Sequence, residues 1–126
     1  MKKVFLVEDS PLVLGRIKEL LSTLPAAEVV GAAGNSADAI EGILQSRPDV
    51  VLLDLNLTEG SGFDVLRALH PRLPGIDFYM LSNFATFPYR HLAEELGAKD
   101  YFDKSKDMDR VRELFAARAV SSTTTH

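Results

Sequence analysis

The segment Val4-Phe5-Leu6-Val7-Glu8-Asp9-Ser10-Pro11 carries three signals in a row. Its first four residues are apolar on both faces, which suits a buried strand of a parallel sheet. Two adjacent acids end the apolar run. Ser10 is a good helix N-cap, and Pro11 at the first helical position costs no hydrogen bond. The stretch therefore predicts a strand, a short acidic turn and a helix.

The same grammar recurs along the chain. Further apolar runs occur at Val29-Val30-Gly31-Ala32-Ala33, Val50-Val51-Leu52-Leu53, Ile76-Asp77-Phe78-Tyr79-Met80-Leu81 and around Lys99-Asp100-Tyr101-Phe102. Between them lie stripes with helical spacing: Leu14, Ile17, Leu21 and Leu24; Ala39, Ile40, Ile43 and Leu44; Phe63, Leu66 and Leu69; Ala85, Tyr89, Leu92 and Leu96; Met108, Val111 and Phe115. Pro25 and Pro48 follow helix ends, Pro88 must lie in a first turn, and Gly97 can take the left-handed position after a helix. Strand and helix thus alternate five times. Parallel strands joined by helical crossovers predict one α/β domain, a doubly wound, flavodoxin-like sheet with helices on both faces. The domain is expected over residues 1–120. The polar stretch 121–126 has no stripe and is expected to be mobile.

Composition narrows the function. The chain has 126 residues, enough for one domain with a core, and no cysteine. A disulfide scaffold, a thiolate metal site and a cysteine nucleophile are excluded. The net charge of −4 argues against free-standing nucleic-acid binding, which usually shows a basic excess. The start imitates a secretion signal, but Glu8-Asp9 cuts its apolar run short. No apolar stretch nears the ~20 residues of a membrane span. A soluble, intracellular (cytoplasmic) protein is expected.

In doubly wound sheets, ligands bind beyond the carboxyl ends of the strands. Here those ends carry Glu8-Asp9, Asp54, Ser82 and Asp103-Lys104. If the strands run in the order 2-1-3-4-5, one of the common doubly wound orders, three carboxylates crowd into one pocket with Ser82 and Lys104 on its far side. Like charges this close ionise together only with a positive group between them. A hard cation such as Mg²⁺ suits oxygen ligands and leaves room for a phosphoryl group. Lys104 and the Ser82 hydroxyl would meet the phosphoryl oxygens as a carboxylate attacks phosphorus.

This set, in this order and on these elements, resembles the receiver domain of two-component response regulators over about residues 3–120. The resemblance implies that Asp54 accepts a phosphoryl group from a phosphohistidine and that Asp9 ligates Mg²⁺ directly, with Glu8 acting mainly through water. It implies that Asn56 gives its backbone carbonyl to the metal, that Lys104 pairs with the phosphoryl group and that Ser82 moves to hydrogen-bond it. Tyr101 matches the aromatic switch residue, and Gly62 the glycine that opens the third helix. A sensor histidine kinase or histidine phosphotransfer protein would be the donor. A downstream protein, or an output domain outside this chain, would read the result, and a homodimer could form through the fourth helix, fifth strand and fifth helix.

The sequence departs from that pattern at four places. Thr58 stands where proline is usual, Asn83 where Ala or Gly is common, Phe84 is bulky, and Ser105 follows Lys104 in place of proline. Thr58, Asn83 and Ser105 would fit a receiver-like interaction module that never turns over phosphate. Asp54-Leu55-Asn56-Leu57-Thr58 also partly resembles the aspartate-nucleophile motif of haloacid-dehalogenase-type phosphatases. There, however, Asn56 replaces a needed acid, and the motif lies on the third strand, not the first. Under the main reading the chain catalyses only its own phosphorylation and dephosphorylation. The first helix has a wide apolar face, with Leu12, Val13 and Leu20 beside the main stripe, expected to be buried; the alternative is an exposed patch for a phosphotransfer partner. Asp107, Asp109, Arg110, Arg112, Glu113 and Arg118 read as a solvated helix face. His70, His91 and His126 have no metal-ligand spacing and read as surface or helix-end residues.

Overall fold

The first strand, β1 (Lys2–Val7), leads through Ser10 into α1 (Pro11–Ser22). The Ser10 hydroxyl accepts a hydrogen bond from the Val13 amide, so the expected cap is formed. There follow β2 (Ala27–Ala33), α2 (Ser36–Ser46), β3 (Val50–Leu53), α3 (Gly62–Leu69), β4 (Asp77–Ser82), α4 (Phe87–Glu95) and β5 (Asp100–Asp103). This computed structural model describes residues 1–83 and 86–115, and 108–115 form the described part of a last helix, α5. The 121–126 tail, Phe84, Ala85, Arg118 and the end of the expected domain at 120 lie outside the described residues.

All strand pairs are parallel, as the alternating pattern requires, and the order is β2-β1-β3-β4-β5, the one the resemblance implies. Strand periodicity divides the core into two layers. Phe5, Val7, Val51, Leu53, Phe78, Met80 and Tyr101 point to the side covered by α2, α3 and α4. Val4, Leu6, Val50, Leu52, Tyr79, Leu81 and Phe102 point to the side covered by α1 and α5. Helices thus cover both faces, and the buried stripes Ile17/Leu21, Ala39/Ile43, Phe63/Leu66/Leu69 and Val111/Phe115 do the covering.

The helix ends follow local chemistry. Ser61 and Asp64 form a reciprocal capping box at the start of α3. Asn35 caps α2, which ends on Arg47 in the left-handed region at φ 48°. Gly97 takes φ +107° after α4, as expected of a C′ glycine. Close approach explains two further glycines. A Cβ at Gly31 or Gly42 would come within 2.7 Å of the buried Phe5 ring, which fills the space between β2 and α2.

Four expectations need correction. β2 pairs only with β1 and is mostly half-buried, because it is the edge of the sheet and lacks the cover a central strand receives. Tyr89 is 40% exposed, and Ala93 instead makes the buried contact of α4; helical spacing gives a side of the helix but not where the sheet beneath it ends. Leu12 is 66% exposed at the start of α1, so the wide apolar face is not wholly buried. Arg110 is not simply solvated: its guanidinium lies 4.8 Å from the Phe102 ring centre and 2.6 Å from Asp100 Oδ2.

Candidate functional site

Strand register builds the site. Val7 pairs with Leu53, and Leu53 with Met80, so the residues just past β1 and β3 meet at one rim with the end of β4 beside them. Ser82 pairs with Asp103, which brings Lys104 to the same rim. Glu8, Asp9, Ser10, Val13, Asp54, Asn56, Ser82, Asn83 and Lys104 line one cleft of about 340 Å³. Each of the five strand-end groups expected there is present.

Within the cleft the acids are not equivalent. Glu8 and Asp54 are buried, 4% and 7% exposed, while Asp9 faces solvent. One oxygen from each lies within 4.8 Å of the others. The positive group between them is Lys104. Its Nζ lies 2.6 Å from Glu8 Oε1 and 3.2 Å from Asp54 Oδ2. The second Glu8 oxygen accepts from the Ser10 amide at 3.1 Å. Glu8 therefore orients Lys104 and the turn into α1, a position the sequence alone does not reveal.

Electrostatics follow the burial. Desolvation pushes the Asp54 carboxyl up to about 6 from 3.8; the Lys104 ammonium opposes this and the Glu8 carboxylate reinforces it. At about 6, the Asp54 carboxyl is still mostly ionised at neutral pH. Ser82 is fully buried, and hydrogen bonding from its hydroxyl partly offsets the upward push that burial gives the Tyr101 phenol. No buried side-chain polar atom among the described residues lacks a partner.

The departures acquire places. Thr58 Oγ1 donates to Asp9 Oδ2 at 3.4 Å. Ser105 donates from its amide and its hydroxyl to Asp103 Oδ1, at 2.8 and 2.6 Å, which holds that carboxyl below the usual range. Asn83 is exposed at the mouth of the cleft, and Asn56 bridges to Ser61 across the β3–α3 loop. Gly62 opens α3, where a Cβ would collide with the Asp54 carbonyl. Tyr101 is buried, and Arg90 of α4 holds it: Nη1 donates to the Tyr101 carbonyl at 3.0 Å, and the guanidinium carbon lies 5.3 Å from the ring centre. Arg90 stands 11 residues before Tyr101, and no sequence periodicity links the two.

A carboxylate-lined cleft closed by a lysine, at the rim of a 2-1-3-4-5 sheet, defines a receiver. The chain belongs to the response regulator receiver domain family, whose profile matches residues 4–116. It is 35% identical over 120 residues to the DNA-binding transcriptional activator DevR/DosR of Mycobacterium tuberculosis, covering 95% of this chain and 53% of that protein. It is also 35% identical over 111 residues to a protein-glutamate methylesterase/protein-glutamine glutaminase of Carboxydothermus hydrogenoformans, covering 86% of this chain and 32% of that one. The chain thus spans about half, or less, of these relatives. The crystal structure of a LuxR-family two-component response regulator from an Aurantimonas species matches with a TM-score of 0.85 at 24% identity, covering 94% of this chain and 86% of that one; this likeness shows the fold alone. Among the described residues no helix is long and apolar enough to cross a membrane.

Proposed function

We propose that the chain is a phosphoacceptor receiver that takes a phosphoryl group from a phosphohistidine onto Asp54 and thereby switches a protein-interaction surface. The observation that carries this is the Lys104 ammonium held between Glu8 and Asp54, with the Asp9 carboxylate beside them. Hard oxygen donors at this spacing fit Mg²⁺. Asp9, Asp54, Glu8 and the Asn56 carbonyl are the groups that would hold it. Bound there, the cation supplies positive charge against the phosphoryl oxygens.

The chain's own groups do the rest. A P–O bond forms at the Asp54 carboxylate as the donor's P–N bond breaks, and the electron pair leaves on the imidazole nitrogen, which takes a proton. Lys104 and Ser82 meet the charge on the phosphoryl oxygens. Moving Lys104 and Ser82 towards that group alters what Glu8 and Tyr101 touch. Tyr101 and Arg90 then carry the change to α4, a population shift of the kind typically worth ~1–3 kcal/mol. The donor would be a sensor histidine kinase or a histidine phosphotransfer protein, and the exposed Leu12 side of α1 is a ready contact for it. The output is a downstream protein, an attached domain or a homodimer through α4, β5 and α5. A cytoplasmic location, no direct nucleic-acid contact and no reaction on an outside substrate belong to this reading.

The test is incubation with acetyl phosphate and Mg²⁺, followed by intact-mass measurement. One phosphoryl adduct is expected, absent in Asp54→Asn and without metal. No adduct, from acetyl phosphate or from phosphohistidine donors, would reject the reading in favour of a module that never turns over phosphate. Turnover of a generic phosphomonoester would point to a phosphatase.

A further inference from the structure

We infer that Thr58 is a positioning residue for the Asp9 carboxylate and sets how well the acidic cleft holds a divalent cation. The inference rests on the receiver reading above and deepens its metal site.

Asp9 is the weak point of the cleft. Glu8 and Asp54 are buried and fixed by Lys104, but Asp9 is exposed. Among the described residues its carboxylate accepts one hydrogen bond, from Thr58 Oγ1. An exposed aspartate free to rotate must be ordered when a cation binds, and that ordering opposes binding. At 3.4 Å and in an exposed position the bond is weak, so removing it is expected to move fold stability little. It biases Asp9 towards the observed arrangement, in which one of its oxygens lies within 4.8 Å of those of Glu8 and Asp54.

The loop that presents Thr58 is itself tied down. The Thr58 amide donates to the Gly34 carbonyl at 3.3 Å, and the Glu59 carbonyl accepts from the Ser36 amide at 3.0 Å. The Asn56–Ser61 bridge closes the loop behind them. Proline at position 58 could make neither Thr58 contact, having no amide hydrogen and no hydroxyl. The departure at this position therefore adds a second tie between the two loops and a tie to the Asp9 carboxylate, neither of which a proline would make.

The experiment is calorimetric titration of MgCl₂ into the full chain, comparing wild type, Thr58→Val and Thr58→Ser. Valine keeps the shape and loses the hydroxyl; serine keeps the hydroxyl. Thr58→Val is expected to bind Mg²⁺ about tenfold more weakly, the lower end of the usual range for hydrogen-bond partners of metal ligands. Thr58→Ser is expected within about twofold of wild type, and the three melting temperatures in EDTA are expected to agree closely, since a surface substitution of this kind moves stability little. Equal affinities for wild type and Thr58→Val would overturn the inference and leave the receiver reading intact. So would a serine variant as weak as the valine one. A wild-type chain that binds no Mg²⁺ would remove both this inference and the metal site it rests on.

Discussion

At Asp54, Glu8 and Lys104 the charged groups are withdrawn from water and bound to one another, whereas along α4 the aromatic rings of Phe87 and Tyr89 stand in it, 75% and 40% exposed. The two regions share one rim of one sheet. In the first, Lys104 touches two buried acids, and each contact depends on the others. In the second, α4 is held by Ala93, by the partly buried Leu92 and Leu96, and by Arg90 on Tyr101. Buried charges tolerate few arrangements, because an uncompensated one is strongly unfavourable. A lightly buried helix tolerates several at small cost. The contrast sets a charged centre that accepts few arrangements beside a lightly buried helix.

Four measurements can break or sharpen it. The largest effect is expected from Lys104→Met, which leaves Glu8 and Asp54 buried with no counter-charge. Urea denaturation at pH 7 without metal should show a loss of about 3 kcal/mol, and added Mg²⁺ should recover part of it. A loss near zero would mean that the ammonium is not what makes this cleft stable.

The next concerns Asp54 and pH. Its folded value of about 6 lies above the ordinary 3.8, so the folded state binds this proton more tightly than the unfolded one. The stability it contributes is complete below about 3.8 and is lost as pH rises through about 6. Asp54→Asn should therefore raise the metal-free melting temperature by a few degrees at pH 7 and by almost nothing near pH 4. The opposite slope would show that Lys104 outweighs desolvation.

A smaller change is expected from Arg90→Ala, which removes the hydrogen bond to the Tyr101 carbonyl and the cation–π contact with its ring, contacts worth about 1 kcal/mol together. The Tyr101 phenol should titrate still higher, because the guanidinium now pulls its value down; ultraviolet titration would read this. The smallest belongs to Phe87→Ser. A ring this exposed should change stability by less than about 0.5 kcal/mol in a melting experiment. A larger loss would show that α4 is packed more firmly than the contrast requires.

Much of this was legible in the residues. Apolar runs punctuated by Ser10-Pro11, Gly97 and Pro88 define five strand–helix units, and the acids, serine and lysine fall where those strands end. Periodicity reports which side of an element is apolar, and a strand end is a local event. What escaped depends on distance in space. Nothing near Glu8 reveals that Lys104, 96 residues later, will hold it. Arg90 above Tyr101 and Thr58 beside Asp9 are likewise meetings between separate elements. The outward positions of Leu12 and Tyr89 depend on how far each helix overhangs the sheet, which spacing along the chain does not encode.

The Phe5 ring wedged against Gly31 and Gly42 has a consequence for how this sequence can drift. Three positions on three different elements, β1, β2 and α2, share a single parcel of volume. A methyl group gained at either glycine has to be matched by atoms lost from the ring, so Gly42→Ala should be better tolerated beside Phe5→Leu than alone. Homologous chains should vary at these three sites in concert, small against large.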